Sequence, residues 1–266
     1  MNRLLFSILA LVLLLTACRP AEGNRKLKVV ASTALIGTIV QTVGAGKVQV
    51  MTIAPAGMCP GHFDITPQAL AAVYDAQLVL YHGWEGWMEK LKKETKSKGE
   101  TWTVLQTSGN WMVPAVQHQA TDEITTLLIR ALPGENLFLK KNCVRYHSQI
   151  DSLANQIKAF FAGRPLPRVV ASEHQADFLK WLGFNVVATY RRPEDLTTRE
   201  LSSLAQVMVD SSVGLVVDNL QSGPDAGRPL AEAAGVSHIT LSNFPLDGDY
   251  LKTVLDNARV LIKVIE

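Results

Sequence analysis

The chain is poor in cysteine, with three in 266 residues, and that scarcity removes one class at once. A small secreted scaffold stapled by disulfides needs several pairs; here a hydrophobic core must hold the fold. Net charge is nearly absent as well. Lys and Arg number 26 against 24 Asp and Glu, leaving +2, and with no basic stripe the balance argues against a nucleic-acid partner. Catalytic signatures are also missing. There is no H-E-x-x-H, no G-x-S-x-G and no Gly-rich phosphate loop, so the matching hydrolase and nucleotide-binding chemistries have no support. Long apolar runs are scarce too, and the one that stands out lies at the N-terminus. What is present is 47% hydrophobic residues, enough for one large α/β domain or two of about 120 residues each.

Arg3 precedes the apolar run Leu4 to Leu15, broken only by Ser7. The run is too short for a bilayer, which takes ~20 residues, and suits the core of a signal peptide. It ends in Leu15-Thr16-Ala17-Cys18, which resembles the lipobox of bacterial lipoproteins. That resemblance implies a signal segment over residues 1–18, lipidation of Cys18, and a soluble domain tethered outside the cytoplasmic membrane by acyl chains. Cys59 and Cys143 then remain. An oxidising compartment permits a disulfide between them, although one reads as a loop residue and the other as part of a helix; two free thiols are the alternative.

Past a polar linker the chain alternates. Strands read at Lys26–Ser32, Lys47–Ala54, Gln77–Tyr81 and Thr101–Gln106, with helical patterns from Thr33 to Val43, from Thr66-Pro67 onward, and over about 87–98. From Asn136 to Phe161 no strand signal survives. Leu137, Val144, Ile150, Leu153, Ile157 and Phe160 recur at helical spacing, predicting one helix of about 25 residues, roughly 38 Å long. Gly163-Arg164-Pro165 stops it, and four more strand–helix units follow, with strands at Arg168–Ser172, Asn185–Tyr190, Gly214–Asp218 and His238–Leu241. The expected fold is α/β. Two lobes (19–135 and 164–266), each a four-stranded, mostly parallel sheet with flanking helices, are joined by a long rigid helix over 136–163.

Open parallel sheets bind ligands outside the carboxyl ends of their strands, and the chemistry-bearing residues gather there. Met58-Cys59-Pro60-Gly61-His62-Phe63-Asp64 offers a thiol and an imidazole after the second strand. His82 follows the third, Glu173 and His174 the fifth, Asp218 ends the seventh, and Asp247 and Asp249 precede the last helix. Cys, His, Glu and Asp together are the donors of tetrahedral zinc, and a thiolate selects zinc over manganese. Each candidate also has a plainer role. His62 could bond within its loop, Cys59 could be a small buried apolar group, and His82 could pack on Trp84. One of Glu173 and His174 could orient the other. Asp218 could cap a helix near Ser222, and Asp247 and Asp249 could cap the last helix. Glu173 beside His174 is the one feature that hints at a metallohydrolase.

Several segments in fixed order resemble the metal-binding lipoproteins that deliver zinc or manganese to ABC importers. They are Val29-Val30-Ala31-Ser32-Thr33, Ile53-Ala54-Pro55-Ala56-Gly57, Ala76-Gln77-Leu78-Val79-Leu80-Tyr81-His82-Gly83 with Trp87, Ser172-Glu173 with Phe178 and Gly183, and Gly248-Asp249-Tyr250 with Asn257. The resemblance implies a non-enzymatic, extracytoplasmic, monomeric binder. Its cargo is a divalent cation, zinc foremost, and its partner an ABC permease. Manganese, iron or a chelated metal is the alternative cargo, and an adhesin-like lipoprotein without metal the alternative role. The family's loop pattern D-P-H-x-Y-x-x-T-P puts Cys59 at the Asp, Gly61 at the His and His62 one place later. In its second loop the His position is Gly109, ahead of Trp111 and Pro114. The family's last Asp falls on Gly248, between Asp247 and Asp249.

Overall fold

The computed structural model describes residues 26–95 and 102–266, with His62 described by its backbone alone. Residues 1–18 with Cys18, and the part of the predicted 87–98 helix beyond Thr95, lie outside these. The first lobe contains β1 (Leu27–Ala31), β2 (Val48–Thr52), β3 (Leu78–Tyr81) and β4 (Trp102–Val104) in the order β2-β1-β3-β4, every pair parallel. The second repeats the plan with β5 (Arg168–Ser172), β6 (Asn185–Tyr190), β7 (Val213–Asn219) and β8 (Ser237–Leu241), ordered β6-β5-β7-β8 and again parallel. All four residues of β3 are buried, the unbroken apolar run of a strand covered on both faces. In each sheet the order reverses beside the first strand, which opens a crevice at the carboxyl ends of β1 and β3 and of β5 and β7.

Helices α1 (Ala34–Gly44), α2 (Pro67–Asp75) and α3 (Gly86–Thr95) cover the first sheet, and α6 (Glu173–Trp181), α7 (Thr198–Asp210), α8 (Arg228–Ala234) and α9 (Tyr250–Ile265) the second. Helix α5, Asn136–Phe161, is the long helix expected from the sequence. One helix was not legible: α4, Pro114–Ala131. Its buried face includes Gln117, Thr121 and Thr125 beside Ala120, Ile124 and Leu128, which blurs the apolar stripe. Threonine is a poor helix former, yet Thr121 and Thr125 each return a hydroxyl to the carbonyl four residues back, at 2.7 and 2.6 Å.

One apolar core runs through both lobes. It joins Val29, Ile36, Ile39 and Leu80 of the first to Phe178, Leu215, Val217 and Leu261 of the second through Leu139, Tyr146, Ile150, Ile157 and Phe161 of α5. Burying each such side chain contributes about 1.5–3 kcal/mol. Polar ties reinforce the join: Asn142 donates to the Val43 carbonyl at 2.8 Å, and Tyr250 to that of Met112 at 3.1 Å.

Candidate metal site

The loop after β2 is held from below. Trp87 Nε1 donates to the Pro60 carbonyl at 2.6 Å, and the Phe63 and Trp87 rings lie 4.9 Å apart. Pro60 to His62 form a single 3-10 turn, which carries Cys59 as a half-buried free thiol. A Cβ on Gly61 would stand 3.6 Å from Cys59 Sγ and 3.9 Å from Arg192 Nη1. The loop of the first lobe thus faces a guanidinium of the second. The His62 side chain lies outside the described residues.

Across the gap, β5 ends at Ser172, and Glu173 and His174 open α6 on exposed positions, His174 Nε2 lying 4.0 Å from Glu173 Oε1. Asn110, in the loop after β4, donates to the His174 carbonyl at 2.8 Å. Partial burial lowers the His174 pKa, Glu173 opposes the fall, and Arg192 adds to it. The Arg192 charge is itself balanced by Asp195 at 3.2 Å and Glu194 at 3.6 Å. A second tie between the lobes runs from Gln221 Nε2, after β7, to the Ala56 carbonyl at 2.8 Å. The described parts of the Cys59 loop therefore meet the carboxyl-end crevice of the second sheet.

His82 sits at the crevice of the first sheet. Its Nε2 lies 2.9 Å from Thr33 Oγ1, its ring stacks on Trp84 and abuts Trp111 edge-on at 4.6 Å between centroids. Burial drives its pKa down to about 4, against the opposing pull of Glu85 and Glu123. Beneath it is a carboxylate that sequence reasoning passed over. Glu85 is 2% exposed and accepts from the Ser32 hydroxyl and from the backbone N–H groups of His82 (3.1 Å) and Gly83 (2.8 Å). Three donors make burial of that side chain tolerable, and they lock the turn that presents His82. A Glu two residues past a strand-end glycine was the available signal.

Three acidic candidates stand elsewhere. Asp218 was expected to point into the cleft, but it is fully buried under α8. Both its oxygens accept the Gly227 N–H at 3.0 Å, and the Tyr190 hydroxyl and His238 Nε2 also bond to it. It fastens the entry to α8 to the sheet, close to the plainer capping role. Asp249 caps α9 by accepting from Lys252 N at 3.0 Å, and Asp247 pairs with Lys252 Nζ at 3.1 Å. Among the described residues, the side-chain bonds these three make run to Gly227, Tyr190, His238 and Lys252 and not to Cys59 or His174.

The family model described as "Zinc-uptake complex component A periplasmic" matches residues 29–264. The chain belongs to this family. Among curated relatives, the manganese ABC transporter substrate-binding lipoprotein PsaA of Streptococcus anginosus is 26% identical over 196 residues, covering 64% of this chain and 63% of its own length. The chain thus aligns with less than two thirds of that relative. Among solved structures, a crystal structure of ZnuA superposes with a TM-score of 0.76 at 15% identity, over 91% of this chain and 100% of the other. The solute-binding protein FpvC of Pseudomonas aeruginosa, in complex with Mn²⁺, gives 0.78 at 14% identity over 91% and 99%. These likenesses confirm the two-lobe fold of the zinc-uptake family. Gly109, where the resemblance set out above expects a histidine, has φ +99°, a left-handed conformation that strains a side-chain-bearing residue.

Proposed function

We propose that the protein is an extracytoplasmic solute-binding protein. It captures a divalent cation between its lobes and hands it to an ABC permease, with zinc as the preferred cargo. In this reading it acts as a monomer held at the membrane through Cys18, and it catalyses nothing. The ligands are drawn from Cys59 and His62 of the first loop and Glu173 and His174 at the start of α6, with His82 behind them. Asp218, Asp247 and Asp249 are left out because their oxygens already serve the fold.

One observation carries the reading. The Cys59 loop of one lobe lies against Arg192 of the other, the guanidinium that also acts on His174, and Asn110 ties the first lobe to the α6 entry, at the strand ends where parallel-sheet proteins bind ligands and within a family named for zinc uptake. Sulfur, nitrogen and oxygen donors together suit Zn²⁺ at about 2.0–2.3 Å, and the thiolate disfavours manganese. The test strips purified protein with chelator and adds zinc or manganese, reading melting temperature and bound metal on one sample. A large upward shift with zinc is expected. No shift with any divalent metal would overturn the proposal. A larger shift with manganese, the metal named for the Streptococcus relative, would move the cargo and leave the binder.

A further inference from the structure

A second group of donors lies away from the cleft, where α4 packs along α5. His118 and Asp122 are one turn apart on α4, and Cys143 and His147 one turn apart on α5, so each pair shares a helix face. Among the described residues, Asp122, Cys143 and His147 are a set whose donor atoms all lie within 4.8 Å of one another. Cys143 Sγ is 3.4 Å from Asp122 Oδ1 and 3.8 Å from His147 Nε2, and the latter is 3.4 Å from Asp122 Oδ1. Tetrahedral bonds of about 2.0 Å to nitrogen and oxygen and 2.3 Å to sulfur set such donors roughly 3.3–3.5 Å apart. The triangle matches within a few tenths of an ångström. The nitrogen–oxygen edge, by contrast, is long for a hydrogen bond, which runs at about 2.7–3.2 Å.

The surroundings agree. The His118 backbone lies close enough to the His147 ring to act on it, the kind of outer neighbour that orients a ligating histidine. The His118 ring lies 4.3 Å from that of His147, centroid to centroid, with Nε2 2.9 Å from Asp151 Oδ1. Cys143 is buried, beside Thr125, while the Asp122 side chain is 65% exposed, so the group has a buried floor and an open rim through which an ion can enter.

We propose that Asp122, Cys143 and His147 form a second transition-metal site, zinc by its donors, that clamps α4 to α5, with His118 beside it to complete or orient the shell. The site is independent of the cleft reading. Because α4 follows directly from the loop that holds Asn110 and Trp111, an ion here would stiffen the helix that carries one wall of the cleft.

The test titrates chelator-stripped full-length protein, purified in detergent, with Co²⁺ followed by ultraviolet–visible absorption and with Zn²⁺ for stoichiometry. A thiolate-to-cobalt charge-transfer band is expected to remain in Cys59→Ser and to vanish when Cys143→Ser is added to that variant, with loss of one further equivalent of zinc. Asp122→Asn, at the exposed rim, should weaken that equivalent at least tenfold while the metal-free melting temperature stays put; this variant serves if Cys143→Ser folds poorly. A band unchanged when Cys143→Ser is added to Cys59→Ser, or undiminished zinc in Asp122→Asn, overturns the proposal. A cleft that binds nothing while the Cys143-dependent band persists would refute the cleft reading and leave this one standing.

Discussion

Asn110 in the first lobe holds the backbone carbonyl of His174 in the second at 2.8 Å, while its own Oδ1 accepts the Met112 N–H at 2.9 Å. One amide therefore shapes the loop after β4 and ties it to the entry of α6. Replacing Asn110 by Ala removes an interaction of about 1 kcal/mol. If the tie positions His174 for metal, zinc affinity should fall about fivefold in competition with a chelator. An unchanged Kd would mean that the α6 entry is held by other contacts.

Cys59→Ser addresses metal choice. Serine keeps the size of the side chain and removes the soft donor, so zinc affinity should drop by at least about tenfold while manganese affinity changes little. Equal losses for both metals would point to loop distortion in place of lost sulfur ligation.

His82 yields a pH signature. Its folded pKa is lowered from 6.5 to about 4, so between those values the unfolded chain binds a proton that the folded chain refuses. Stability from this group is present above pH 6.5 and is lost as pH falls towards 4. Urea midpoints of metal-free protein at pH 7, 6 and 5 should decline less steeply in His82→Asn, the difference reaching about 2 kcal/mol. Parallel declines would place the ring in a wetter setting than its contacts with Thr33, Trp84 and Trp111 imply.

Asp218→Ala separates fold from site. It strips the Gly227 N–H, the Tyr190 hydroxyl and His238 of a buried partner and should cost about 3 kcal/mol or more in stability. Zinc affinity of the folded fraction should stay within about twofold. A collapse of affinity with stability intact would return Asp218 to the ligand set.

The strands were legible because the inner ones, such as β3, are apolar runs covered on both faces, and α5 was legible because no strand signal interrupts it and Ile150, Leu153, Ile157 and Phe160 keep helical spacing. Leu137 and Val144 of the expected stripe are instead exposed, and Leu139, Cys143 and Tyr146 face the core. Helix α4 was not legible, since threonines took apolar places and the hydroxyl bonds that make them acceptable are invisible in sequence. That omission had a further effect. Cys143 and His147 show as a spacing on one helix, but without α4 nothing set Asp122 and His118 against them. Asp218 was misjudged for a related reason: a strand-end carboxylate reads alike whether it faces a cleft or turns under the next helix, and the Tyr190 and His238 that claim it come from neighbouring strands. The loop around Cys59 was singled out by its residue types and its place after a strand, neither of which could indicate that Trp87 would anchor it.

The core that runs unbroken from Ile39 through Ile150 to Phe178 has a kinetic consequence. Prising the lobes apart would return that surface to water at about 25 cal/mol per Å², so wide opening is too rare to serve as an exit. A bound cation should instead leave as ligands detach one by one in the loops, and its residence time should follow the Cys59 loop more than any swing of the lobes. Trp87→Phe, which deletes the bond to Pro60 while keeping the aromatic packing, should then speed zinc dissociation in stopped flow with little change in overall dimensions by scattering.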